Sequence, residues 1–129
     1  MSDASLAQIS LAADPKLLRA ARLMVSSLAA DRGFTMDDME DLKLAVQEAC
    51  ANRLALGLAQ DRIHARVSEL GGMLMVEVWG DRPGTGEANE EADYGLALAE
   101  ALVDELAIED GPDAQRIVLR KRMPGGAAG

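Results

Sequence analysis

The stretch 41–57, DLKLAVQEACANRLALG, decides how the rest of the chain is read. Its apolar residues Leu42, Val46, Ala49 or Cys50, and Leu54 recur near the i, i+4, i+7 spacing of one buried helical stripe. Asp41, Glu48 and Asn52 form a second, polar line. Residues four apart are neighbours on a helix, so Glu48 and Asn52 project side by side. A carboxylate beside a carboxamide is a start for a metal or phosphate site, and it is equally what a solvated helix face looks like.

Working outward, residues 5–12 alternate weakly (Leu6, Ile9, Leu11) and predict a first strand. Asp14-Pro15 marks a helix start, Asp as cap and Pro where no hydrogen bond is lost. Leu17, Leu18, Ala21, Met24, Val25 and Leu28 carry that helix to about Asp31, and Gly33 suits a left-handed stop. Thr35 followed by Asp37 and Asp38 caps the next helix, expected to run to Gly57. Ile63, Ala65 and Val67 alternate with His64, Arg66 and Ser68, and Gly71-Gly72 supplies a hairpin turn. The return strand is apolar on both sides, Leu74, Val76 and Val78 against Met73, Met75 and Trp79. It predicts a central strand with something covering each face.

Residues 80–93 read as a loop ending in an acidic run with Glu87, Glu90, Glu91 and Asp93. Leu96, Ala99, Leu102, Val103 and Leu106 predict a third helix begun near Asp93. Residues 106–109 and 115–123, around Gly111-Pro112, predict a final hairpin. Residues 124–129 are expected to form a disordered tail on a single domain, 1–129.

The chain has 129 residues, nearly half of them apolar, but one each of Phe, Tyr and Trp; Ala, Leu, Val and seven Met must build the core. The formal charge of −9 argues against sequence-independent binding to nucleic acid or an anionic membrane and favours a basic protein partner. The single Cys50 excludes an internal disulfide and fits a cytoplasmic chain, with no signal peptide or membrane-length apolar run. Cys50 reads as a small core residue rather than a nucleophile, and the only His, His64, as a solvent-side strand residue.

The order β, α, α, β, β, loop, α, β, β gives an α+β class with helices on one face of a mixed, mainly antiparallel sheet. With these residues in it, the order resembles the GHKL ATPase (Bergerat) α/β sandwich, and within it the bacterial anti-sigma-factor serine/threonine kinases, the RsbW-like proteins. Three places carry the resemblance: LKLAVQEACAN at 42–52, MVEVWGDRPGTG at 75–86, and YGLALAEALVDELAIEDGPDAQRIVLRKRM at 94–123.

The resemblance implies that Asn52 ligates Mg²⁺ on the phosphates of ATP and that Glu48 is a general base toward a partner's Ser or Thr hydroxyl. It implies phosphate contacts at Gly95 and Leu96, and glycine-loop contacts at Gly84 and Gly86. An Asp on the strand end holds adenine in that family; stepping by twos from Val76 and Val78 lands on Gly80, so Asp81 serves only if Gly80 forms a bulge. Further departures are Arg82 where that family has a glycine, Arg53 where Ala is usual, and an acidic lid without Lys or Arg. A nucleotide site with weak or lost ATP and Mg²⁺ binding is therefore expected.

The implied partners are a sigma factor and a STAS-type anti-sigma-factor antagonist that releases it, with the chain as a homodimer. The alternatives are an ATP-independent interaction module of the same fold acting on a non-sigma partner, and an ATP-hydrolysing or histidine-kinase-like enzyme. The short lid and the lack of sensor or dimerisation segments count against the last.

Overall fold

A computed structural model describes residues 5–55, 62–81, 90–111 and 115–124, with side chains of 90–92 left aside. Five strands, β1 (Ser5–Ala12), β2 (Arg62–Leu70), β3 (Met73–Gly80), β4 (Glu105–Asp110) and β5 (Gln115–Arg122), form one sheet in the order β1-β2-β3-β5-β4. Three helices, α1 (Leu18–Ala30), α2 (Met36–Leu54) and α3 (Glu90–Leu102), cover one of its faces. The expected α+β sandwich is present, but all four described strand pairings are antiparallel, so the sheet is not mixed.

Local sequence sets the element ends. The Asp14 carboxylate accepts from the Lys16 amide at 2.9 Å and Pro15 opens a single 3-10 turn that leads into α1. Gly33, at φ 79°, lets the chain leave the helix. The Thr35 hydroxyl accepts from the Asp38 amide at 3.1 Å, starting α2. Gly71 and Gly72, at φ 63° and 78°, supply the two left-handed residues that a two-residue hairpin turn requires between Leu70 and Met73.

The third helix differs from expectation at both ends. It begins at Glu90, inside the acidic run, and stops at Leu102, so Leu106 belongs to β4. The reason is capture by β5. Lys121 Nζ donates to the Leu102 carbonyl at 3.1 Å, the Asp104 amide donates to the Arg120 carbonyl at 3.0 Å, and the Arg122 amide donates to Asp104 Oδ2 at 2.7 Å. Helix α2 ends at Leu54 rather than Gly57, and residues 56–61 and the expected tail beyond Pro124 lie outside the described residues.

Helix α2 is the centre of the packing. Its Leu42, Ala45, Val46, Ala49 and Cys50 are buried against Ala21 and Val25 of α1, Ala99 of α3, and the inward row Ile63, Val67, Leu74, Val76, Val78, Ile117 and Leu119. Each of those branched side chains contributes ~1.5–3 kcal/mol by leaving water. Burial pushes the Cys50 thiol up to about 12, so it is packing and not a thiolate at neutral pH.

The opposite face of the sheet has no second layer among the described residues. It is closed by its own side chains: Glu77, 9% exposed, accepts from Arg66 Nε at 2.9 Å and Arg116 Nη1 at 3.2 Å. Trp79 lies under Arg116 at 4.0 Å and stacks on His64 at 5.3 Å between ring centroids. The expectation that something covers each face of β3 is met on the helix side only; among the described residues the outer face carries a charged and aromatic lattice of the sheet's own side chains.

Candidate functional site

Glu48 and Asn52 stand on the C-terminal half of α2, on the side that faces α3. Gly95 in α3 brings the two helices together there. A Cβ placed on Gly95 would overlap Glu48 Oε1 and stand 3.4 Å from its Cδ. Only a glycine leaves room for that carboxylate against the helix backbone. Glu48 is half-buried and Gly95 buried, so the carboxylate is held at the boundary of the core and not on a freely solvated face. Leu96, the next residue of α3, is half-buried and packs against the core.

Asn52, one turn further along, is 3% exposed. Its Oδ1 accepts two hydrogen bonds from Arg53, from Nε at 3.1 Å and from Nη2 at 2.7 Å. Arg53 is 7% exposed, and burial lowers its guanidinium below the ordinary arginine value. Among the described residues it makes no ion pair. The sequence shows Arg53 as a departure from the resembled motif; that its side chain folds back two-pronged onto its neighbour is a rotamer choice that spacing does not encode.

Asp81 does not join this group. The pairing of Ile63 with Gly80 continues the β2–β3 register without a bulge, so Gly80 faces the helices and Asp81 turns the other way. Asp81 Oδ1 accepts from His64 Nε2 at 2.7 Å, beside Trp79 on the outer face. The hydrogen bond from His64 holds its carboxyl below the usual value, with partial burial opposing and the Arg62 amide and charges nearby helping. Gly84 and Gly86 lie outside the described residues.

Magnesium, as implied at Asn52, does not fit this geometry. A divalent cation needs hard oxygen ligands with lone pairs free to face it. Here the carboxamide oxygen is taken up by a guanidinium, whose charge repels a second cation at hydrogen-bond range. No cluster of three or more His, Cys, Asp or Glu able to hold a metal exists among the described residues. Arg53 carries a positive charge beside Asn52 and makes no ion pair among the described residues. The adenine contact has no carboxylate on this side of the sheet from Asp81.

Comparisons with known proteins bear on the fold and the family. The model of the histidine kinase-like ATPase domain matches residues 11–121. The chain is 29% identical to the serine-protein kinase RsbW of Bacillus velezensis, covering 79% of this chain and 76% of that one. It is 27% identical to the serine-protein kinase RsbW of Bacillus subtilis, covering 84% and 81%. A crystal structure of the RsbU and RsbW domains of a Mycobacterium tuberculosis protein superposes with a TM-score of 0.70 at 26% identity, over 91% of this chain. The chain spans 31% of that longer protein's solved length. With the family model covering most of its length, and β1 to β5 and α1 to α3 in place, the chain belongs to the histidine kinase-like ATPase domain family.

Proposed function

We propose that this protein is an anti-sigma regulatory factor: it binds a basic sigma factor, keeps it from RNA polymerase, and is released from it by a STAS-type antagonist. The observation that carries the reading is the placement of Glu48 against Gly95 in a chain similar along most of its length to serine-protein kinases named RsbW. The net charge of −9 suits a basic partner. Self-association through the outer sheet face, where Met73, Met75 and Trp79 stand, belongs to the same reading.

The place where α2 meets α3, at Glu48 and Gly95, is the nucleotide side of this proposal. ATP, when bound, supplies a transferable phosphoryl group. Glu48, fixed at the edge of the core by its contact with Gly95, takes the proton from a Ser or Thr hydroxyl of the antagonist. Arg53 offers a positive charge to the phosphates. Binding is weak, because Asp81 is spent on His64 and leaves the adenine amino group without a carboxylate.

Affinity purification of the tagged chain from its native cell, with the bound proteins identified, tests the proposal. A sigma factor and a STAS-domain protein are the expected partners. Reproducible partners that include neither would instead favour an ATP-independent interaction module on the same fold.

A further inference from the structure

His64 is the only histidine of the chain, and the only cysteine, Cys50, is a buried thiol pushed up to about 12. Histidine is the one side chain whose ordinary charge change falls between pH ~5 and ~8. Near neutrality the side-chain charge of the molecule therefore changes at one place, and that place is the outer face of the sheet. His64 Nε2 is hydrogen-bonded to Asp81 Oδ1 at 2.7 Å, and its ring stacks on Trp79 at 5.3 Å. An open cavity of about 520 Å³, lined by Gln8, His64, Trp79, Gly80 and Asp81, leaves the imidazole within reach of water. With Nε2–H donating to Asp81, the second proton is gained and lost at Nδ1.

The charged groups that face His64 are Arg62 and Arg66 from β2, Glu77 and Asp81 from β3 and its end, and Arg116 from β5 across Trp79. The edge strand β1 presents only the neutral Gln8 and Ser10. Strand alternation puts Arg120 and Arg122 on the same face as Arg116, with Glu105 and Glu109 of β4 beside them. Cations and carboxylates thus alternate here in near balance, on a chain whose formal charge is −9. A second copy suits such a face, because it brings the same balance, whereas pairing through the rest of the surface would set carboxylates against carboxylates.

We propose that self-association through the outer face is gated by the proton on His64: two copies pair when the imidazole is neutral and separate when it is charged. The proposal rests on the self-association reading of this face. In the separate chain, Asp81 and the water of the cavity accommodate an imidazolium. Pairing shuts that cavity, and each copy would then add a cation to a surface already lined by Arg62, Arg66 and Arg116, where a like charge taken out of water is costly. Each copy brings one such proton, so pH and affinity are linked twice in every pair.

The test is sedimentation equilibrium of the whole chain at pH ~7.5 and ~5.5 and fixed ionic strength, beside a proton NMR titration of the His64 ring at low and high protein concentration. The dissociation constant of the pair should rise at least ~tenfold at the lower pH, while His64→Gln, which stays neutral, should change by less than about threefold. His64→Arg, charged at both pH values, should associate weakly at both. In the unmutated chain the pH at which the His64 signal moves should fall as protein concentration rises, and this decides alone should the variants fail to fold. Equal pH responses in the unmutated chain and His64→Gln, or tightening at the lower pH that His64→Gln abolishes, would overturn the gate and leave self-association intact. A chain that stays monomeric at both pH values would remove the self-association reading and the gate together.

Discussion

The carboxylate of Glu48 rests against the Cα of Gly95, so closely that any side chain at position 95 would occupy the same space. That contact links α2 to α3 and fixes the carboxylate against the α3 backbone. The clash is with the far end of a flexible side chain, so Gly95→Ala should fold. It should even gain up to ~1 kcal/mol of helix propensity. Its cost should appear in function. Phosphoryl transfer to a STAS antagonist should fall at least ~tenfold, and Glu48→Gln, which removes the base, should lower it by ~10²-fold. Thermal melts run beside a transfer assay separate the two effects; unchanged transfer in Gly95→Ala would mean that the position of Glu48 does not matter.

The outer face makes a stability prediction. Glu77 bridges Arg66 and Arg116, and its removal leaves two guanidinium groups facing each other across a half-buried Trp79. Glu77→Ala should destabilise the fold by ~2–3 kcal/mol, below the usual range for a fully buried pair because Arg66 is partly screened by solvent. Urea unfolding followed by Trp79 fluorescence reads this directly. A change under ~0.5 kcal/mol would show that the lattice is decorative.

The pair His64 and Asp81 predicts a pH dependence. The folded carboxyl is held below its ordinary value, chiefly by the hydrogen bond from His64. A depressed folded pKa gives stability that is complete above the unfolded pKa and is lost as pH falls through the folded one. Between pH ~5 and ~3 the unmutated chain should therefore lose more stability than Asp81→Asn, whose side chain does not titrate. The measurement is the urea midpoint of both chains across that range. Parallel curves would contradict the assignment.

Self-association should be visible in solution. Met73, Met75 and Trp79 lie on a sheet face that no described element covers. Multi-angle light scattering is expected to give twice the chain mass of 13.6 kDa, and a strictly monomeric mass at high concentration would remove this part of the account.

Much of this was legible in the sequence, for identifiable reasons. The α2 stripe, the Asp14 and Thr35 caps and the Gly71-Gly72 turn are local signals, and the fold preserves each of them. Leu106 was ambiguous because one leucine satisfies both a helical and a strand period; β5 decides it through Asp104 and Lys121, contacts far apart in sequence. Within the site, the neighbouring of Glu48 and Asn52 follows from helix geometry, and the approach of Gly95 depends on tertiary packing. The phase argument at Gly80 made an adenine contact from Asp81 conditional on a bulge; β3 pairs with β2 through Gly80 without one, and Asp81 meets His64 instead. Arg53 marked itself only as an unusual residue. Which oxygen its fork takes is settled by burial and not by spacing.

The central claim concerns sigma-factor sequestration, and run-off transcription measures it most directly. Increasing amounts of the chain are added to RNA polymerase holding the sigma factor recovered from its native cell, at low and high salt. The account predicts loss of transcription at near-stoichiometric chain, weaker inhibition as salt rises because the chain is acidic, and recovery when the STAS antagonist is added. Full transcription in a ~tenfold excess of the chain would contradict it.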